Sequence, residues 1–296
     1  MTIEELQHGA IPDPIDERDF QASDIMGAVN VDWTKEFRLP EPPDQDQGSS
    51  DSCVSHAWSY YHWQLTGRHY SKRDLFSRIA LNYGAIIRDG GKEIVNRGQA
   101  TNGEVIDPNP QTALNMRDKT GTDQSYRDDD KELAYFVLPQ QDINGVAWGI
   151  QNYKGVAFGV NGSNQGWQNM LEPRPPMNGE TIWGHALYAF GFHTHGDGQK
   201  CIIAKSSWCN SVREHHIREF YFTALIGTFN AWTLIPKEQI MTNSLIVKNG
   251  EEYGIYDPAT SEDGLITLMR NRGITVPLTP EGKLDWSKVK VDKQLT

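Results

Sequence analysis

Only three cysteines, Cys53, Cys201 and Cys209, occur in this 296-residue chain. So sparse and odd a set cannot form the disulfide framework of a small secreted domain, and it fits a reducing compartment. No apolar run approaches the ~18 residues that mark a membrane-spanning helix. The opening Met1-Thr2-Ile3-Glu4-Glu5 places acids where a secretion signal needs a basic start and an apolar stretch. Clusters of Lys and Arg are missing too. With 28 basic and 39 acidic residues the net charge is −11, so nucleic acid and anionic membranes are not expected partners. There is no Walker loop and no dinucleotide fingerprint, and no cofactor is expected.

What the chain does have is aromatic mass. Nine Trp, eleven Tyr and ten Phe within 38% apolar residues describe a chain able to offset its ordering entropy, hence a folded one. Residues 1–30 are polar, and Ile11-Pro12-Asp13-Pro14-Ile15 reads as an extended arm. From Ser52 to Gly67, Val54, Ala57, Trp58, Tyr61 and Leu65 form one helical stripe, with Ser50, Asp51 and Ser52 available as caps and Gly67 as the stop. A second helix is expected from Ser71 to about Tyr83. Residues 90–130 are rich in Gly, Asn, Pro and Asp and predict loops with one short helix at most, and Asp128-Asp129-Asp130 reads as a solvated turn.

The second half turns to strand texture at Gly155–Val160, Ile182–Phe192, Lys200–Trp208, Phe220–Thr223 and Ala231–Ile235. His195-Gly196-Asp197-Gly198 between two of these suits a hairpin turn. After Lys237, Leu245-Ile246-Val247 and Tyr253-Gly254-Ile255-Tyr256 flank Asn249-Gly250, followed by a helix near Ser261–Asn271. The expected organisation is an arm over 1–30, a main domain over 31–240 (helical lobe about 45–120, β lobe about 121–240), and an appendage over 241–296.

Cys53 stands at the start of the first strong helix. Unpaired N–H groups and the helix dipole there favour a thiolate, the reactive form of the side chain. A lone cysteine is ordinarily a small buried hydrophobe, so the neighbours decide. Gln47-Gly48-Ser49-Ser50-Asp51-Ser52-Cys53 resembles the Gln-Gly-x-x-x-Ser-Cys segment of papain-like cysteine peptidases, with the glutamine six residues ahead of the cysteine. Val31-Asp32-Trp33 and Ser71-Lys72-Arg73-Asp74-Leu75 resemble further segments of that family in the same order. The resemblance implies Gln47 and the Cys53 N–H as oxyanion donors, each worth roughly 3 kcal/mol.

A thiolate nucleophile needs an imidazole that acts as base and then as acid. Gly184-His185-Ala186-Leu187-Tyr188-Ala189-Phe190-Gly191-Phe192 is similar to the family's histidine strand. It lies 132 residues after Cys53, within the expected interval of about 130–150. The family's Asn-Ser-Trp-Gly is matched by Ser206-Ser207-Trp208-Cys209, which puts Ser206 where an asparagine orients the imidazole. A hydroxyl is shorter than a carboxamide and is expected to hold the ring less well, directly at close range or through water, and to reduce turnover.

The resemblance, to a divergent bacterial or phage-type member, spans about residues 31–236. It implies an α+β fold with a helical lobe, a barrel-like antiparallel β lobe and a cleft between. It also implies a polypeptide or peptide-like substrate, attack by Cys53 and an acyl-enzyme resolved through His185. Two alternatives accompany this reading. One is a weakly catalytic or non-catalytic binding module, such as a phage particle component using the C-terminal appendage as an assembly surface. The other is an amidase or acyltransferase acting on cell-wall peptides. A cytoplasmic or virion-associated location fits them all. His193, His195, His215, His216 and Cys201 lack the spacing of a zinc finger, and no metal is expected. The arm at Pro12–Phe20 is expected to reach into the cleft.

Overall fold

The computed structural model of the protein describes residues 9–14, 31–122, 133–138, 142–208, 212, 214–236, 245–249, 252–256, 278–283, 285 and 290–291. Two short strands, β1 (Ala10–Ile11) and β2 (Phe37–Arg38), precede helix α1 (Cys53–Thr66). Ser52 is the N-cap residue of α1, but its hydroxyl turns to Ser50 (2.6 Å) and His56 (3.3 Å) instead of capping. Gly67 closes the helix in the left-handed conformation, as its sequence position predicts. The expected single apolar stripe is too narrow a description. Every residue from Cys53 to His62 is buried, because helices pack on one side of α1 and the sheet on the other. Trp58 Nε1 donates to Ile87 O (2.8 Å), and Tyr60 Oη to Ser206 O (3.0 Å).

Helix α2 (Lys72–Ile79) begins on the Ser71 cap, whose hydroxyl accepts from Asp74 N (3.1 Å), and it ends four residues before the predicted Tyr83. A short strand β3 (Ala85–Ile86) leads into α3 (Ile87–Arg97), an eleven-residue helix where loops were expected. Gly90 and Gly91 gave the loop signal, and packing explains both. A Cβ on Gly90 would lie 2.3 Å from Trp58 Cδ1, and one on Gly91 2.9 Å from Trp58 Cζ2. A 3₁₀ turn spans Asn115–Arg117.

The sheet comprises β4 (Leu133–Leu138), β5 (Val156–Gly162), β6 (Trp183–Thr194), β7 (Lys200–Lys205), β8 (Glu214–Arg218) and β9 (Thr228–Pro236). Its order is β4-β9-β5-β6-β7-β8, all antiparallel, with β2 added to β6. β4 and β8 lie at opposite ends of that order, so the lobe is an open sheet and not a closed barrel. Helix α4 (Ile143–Tyr153), which the sequence reading did not anticipate, packs against it. The expected strand at Phe220–Thr223 is instead helix α5 (Glu219–Thr223), which buries Tyr221 and Phe222. The His195–Gly198 turn is as predicted, with Gly198 N donating to His195 O (2.8 Å) and Gly198 at φ +86°. Near the C-terminus, β10 (Leu245–Asn249) and β11 (Glu252–Tyr256) pair antiparallel, and β12 (Lys290–Val291) pairs with β10. The helix expected at Ser261–Asn271 and the Asp128–Asp130 turn lie outside the described residues.

Candidate active site

Cys53 opens α1 and is fully buried. Backbone N–H groups of Ala186, Gly9 and Val54 lie near enough to its sulfur to favour the thiolate. The Ala186 contact brings the helix start against β6 beside His185, which is itself fully buried and pairs in register with Val160 of β5. The packing of α1 on β6 thus brings Ala186, the residue after His185, to the start of the helix.

His185 Nε2 lies 3.1 Å from Ser206 Oγ. The shorter side chain reaches the ring directly, without an intervening water. Trp208 N donates to the same hydroxyl oxygen (3.3 Å), which fixes where the oxygen sits. The Trp208 ring stacks on His185 at 3.9 Å and 21°, and Trp167 meets both rings edge-on at 6.4 and 5.4 Å. Water is therefore kept from one face of the imidazole. Trp167 was not singled out in the sequence. It is fully buried, anchored by Nε1 donating to Tyr221 Oη (2.9 Å), and no local motif marks it.

Gln47 is also fully buried. Its Oε1 accepts from Ser207 Oγ (2.7 Å), its Nε2 donates to Ser50 O (2.7 Å), and its backbone N donates to Ser207 O (2.9 Å). The carboxamide is thereby oriented by the Ser207-Trp208 segment, which links the loop before α1 to the sheet. His56 is a neighbour only. Its Nδ1 is 3.0 Å from Ser52 O, and burial pulls the ring down to about 4, keeping it neutral. Asn210 and Cys209 lie outside the described residues.

The thiol departs from expectation. A helix start favours thiolate, yet burial pushes Cys53 up to about 12, opposed by the Ala186 and Gly9 N–H groups and reinforced by the Asp51 carboxylate. The cover over the thiol is the N-terminal segment. Gly9 N donates to Gly184 O (3.1 Å), and Gly9 O accepts from Ala85 N (2.7 Å). β1 then pairs parallel with β3, Ala10 opposite Ala85 and Ile11 opposite Ile86. Residues 9–11 thus lie between the histidine strand and the helical half.

The fit is close on both sides. A Cβ on Gly9 would sit 2.0 Å from Asp51 O, and one on Gly184 2.1 Å from Ala10 O. Asp13 fastens the far end. Its N donates to Asn230 Oδ1 (2.7 Å), while its carboxylate accepts from Trp232 Nε1 (2.5 Å) and Arg88 N (3.3 Å). Burial raises the Asp13 carboxyl to about 6. The arm was expected in the cleft from Pro12 onward. Among the described residues contact is already made at Gly9, and residues 15–20 lie outside the described part.

No family model matches the chain, and no curated protein matches it in sequence. Solved structures do match in shape. Xylellain, a cysteine protease from Xylella fastidiosa, superposes with a TM-score of 0.60 at 19% identity, over 78% of this chain and 96% of that one. The proform of Amb a 11, a cysteine protease and ragweed pollen allergen, gives 0.57 at 17% identity, over 85% and 68%. The protease and lectin-like domains of Cwp84, a surface layer associated protein of Clostridium difficile, give 0.56 at 14%, over 83% and 59%. This chain therefore has the papain-like fold, a mixed helical and antiparallel-sheet architecture. Among the described residues, no helix is long and apolar enough to cross a membrane.

Proposed function

We propose that the protein is a cysteine peptidase of papain type held in a latent form by its own N-terminal segment. The observation that carries this is that the buried Cys53 thiol at the start of α1 lies against Ala186, the residue after His185, whose ring is fixed by Ser206 and Trp208. Cys53 is the nucleophile. His185 takes its proton, then delivers it to the leaving amine, and afterwards activates the water that resolves the acyl-enzyme. Ser206 orients the imidazole by accepting from Nε2–H, and Gln47 with the Cys53 N–H stabilises the oxyanion. The substrate is a polypeptide or a peptide-like amide.

Residues 9–13 support latency, since they cover the thiol and are fastened at both ends. The deciding experiment compares turnover of a broad peptide library by full-length protein, a chain lacking residues 1–25, and the same truncation carrying Cys53→Ala. Cleavage by the truncated chain alone is the expected result. No cleavage by any of the three would refute the peptidase reading and leave a non-catalytic papain-fold binding module. The xylellain and Amb a 11 structures are of proteases, which supports the same reading.

A further inference from the structure

A second cluster lies away from Cys53, on the strands at the β8 edge of the sheet. His193 of β6 and Cys201 of β7 are direct partners in register. Cys201 faces Arg218 across β7 and β8, so His216, two residues before Arg218, projects from the same side. One nitrogen from each histidine and the Cys201 sulfur all lie within 4.8 Å of one another. Spacing along the chain gives no hint of this, because the three ligands come from three strands and the convergence is made by sheet register.

The chemistry of each donor fits a cation. His193 Nε2 is buried and has no hydrogen-bond partner among the described residues. An orphaned buried imidazole nitrogen is a costly arrangement that a metal would satisfy. His216 Nε2 lies 3.0 Å from Glu214 Oε1. Donation to that carboxylate leaves the lone pair on Nδ1, the carboxylate–histidine arrangement that supports metal ligation. Cys201 is fully buried, and among the described residues its sulfur makes a long hydrogen bond to Ile202 O (3.8 Å). The neighbouring Arg218 guanidinium, whose charge favours the Cys201 thiolate, is itself paired with Asp197 and Glu172.

We propose that His193, Cys201 and His216 form a mononuclear site for a zinc-class divalent cation, with solvent in the fourth position, stapling edge strand β8 to β6 and β7. Zinc binds thiolate sulfur at about 2.3 Å and imidazole nitrogen at about 2.0–2.1 Å, so tetrahedral donors stand roughly 3.3–3.6 Å apart. Closure from 4.8 Å takes side-chain rotation of the two partly exposed histidines, with the backbone in place. As the S–Zn bond forms, the Cys201 S–H proton leaves to solvent.

The test is a titration of full-length Cys53→Ala protein with Co2+, read by the thiolate-to-cobalt charge-transfer band and the visible bands of tetrahedral cobalt, followed by displacement with Zn2+. One equivalent should saturate the signal and zinc should remove it. Cys201→Ala should abolish the charge-transfer band. His216→Asn, at a partly exposed position, should weaken binding at least tenfold while the metal-free melting temperature stays within that of the parent. Absence of a saturable one-to-one signal overturns the site. So does a band that survives Cys201→Ala, which would place the metal on Cys209.

Discussion

Substituting Gly9 by alanine tests whether the N-terminal segment gates the thiol. The added Cβ would stand 2.0 Å from Asp51 O and 2.7 Å from Asp51 C, far inside any permitted contact. Asp51 cannot yield, because Arg117 holds its carboxylate at 2.8 and 2.6 Å and Gly84 N donates to it at 2.6 Å. The strand must therefore leave. Outside the β1–β3 ladder, six hydrogen bonds hold it: Gly9 to Gly184, Ala85 to Gly9, Asp13 to Asn230, Trp232 and Arg88 to Asp13, and Arg88 to Pro14. At about 1 kcal/mol net each they give ~6 kcal/mol. Ordering the six residues Gly9–Pro14 opposes this at about 1 kcal/mol per residue. Docking is thus finely balanced, and a steric penalty of even ~1.4 kcal/mol opens the site tenfold. The assay is iodoacetamide labelling followed by mass spectrometry, with Cys201 as internal reference. Cys53 labelling should rise at least tenfold in Gly9→Ala and in the chain lacking residues 1–25, with Cys201 unchanged. Unaltered Cys53 labelling in both would refute the gate.

Three further outcomes follow from the same coordinates. Asp13 retains its proton up to about 6 when docked but only to about 4 when released, so the docked state binds the extra proton between these values. Docking is therefore strongest below about pH 4, weakens as pH rises through about 6 by at most ~3 kcal/mol, and is constant above. The labelling rate of the full chain relative to the truncated one should climb across that window with a dipyridyl disulfide probe, and Asp13→Ala should flatten the climb. Ser206→Ala removes the acceptor for His185 Nε2 and Trp208 N, and in the truncated chain it should lower kcat about tenfold with KM little changed, as peptide kinetics would report. Gly90→Ala gains ~1 kcal/mol of helix propensity but drives a methyl to 2.3 Å from Trp58 Cδ1. Overpacking at about 1–3 kcal/mol prevails, and the circular dichroism melt should fall by a few degrees.

The parts of the site that could be read from the sequence are those whose chemistry demands a fixed local string. Gln47 through Cys53, the His185 strand and Ser207-Trp208 each show themselves within a few residues, and the fold links Gln47 to Ser207 and His185 to Ser206. What escaped depends on partners distant in the chain. Gly90-Gly91 read as a loop because nothing near them reveals that Trp58 occupies the space a side chain would need. Phe220–Thr223 has the aromatic content of a strand, yet it turns helical after β8 and buries Tyr221 and Phe222 together. Gly9 carries no signal within a polar arm, since its meaning lies in the Asp51 carbonyl opposite. The His193, Cys201 and His216 cluster is made by strand register, which spacing in the chain does not encode.

Two thiols in this molecule are raised to about 12 by burial, and comparing them separates the proposed nucleophile from the second cysteine. Cys201 is enclosed by the sheet itself, with the Arg218 charge as its main opposing influence, so departure of the N-terminal segment does not uncover it. Cys53 is enclosed on one side by a removable strand, and it keeps the Ala186 and Val54 N–H groups when that strand departs. Desolvation, the largest contribution, is the one the N-terminal segment supplies in part, whereas the helix start and the β6 amide belong to the permanent fold. Release therefore lifts part of the desolvation and at the same time removes the Gly9 N–H that favours the thiolate. On the proposed gate, burial under the N-terminal segment is an energetic lock as well as a steric one, and the Gly9 N–H opposes it in part.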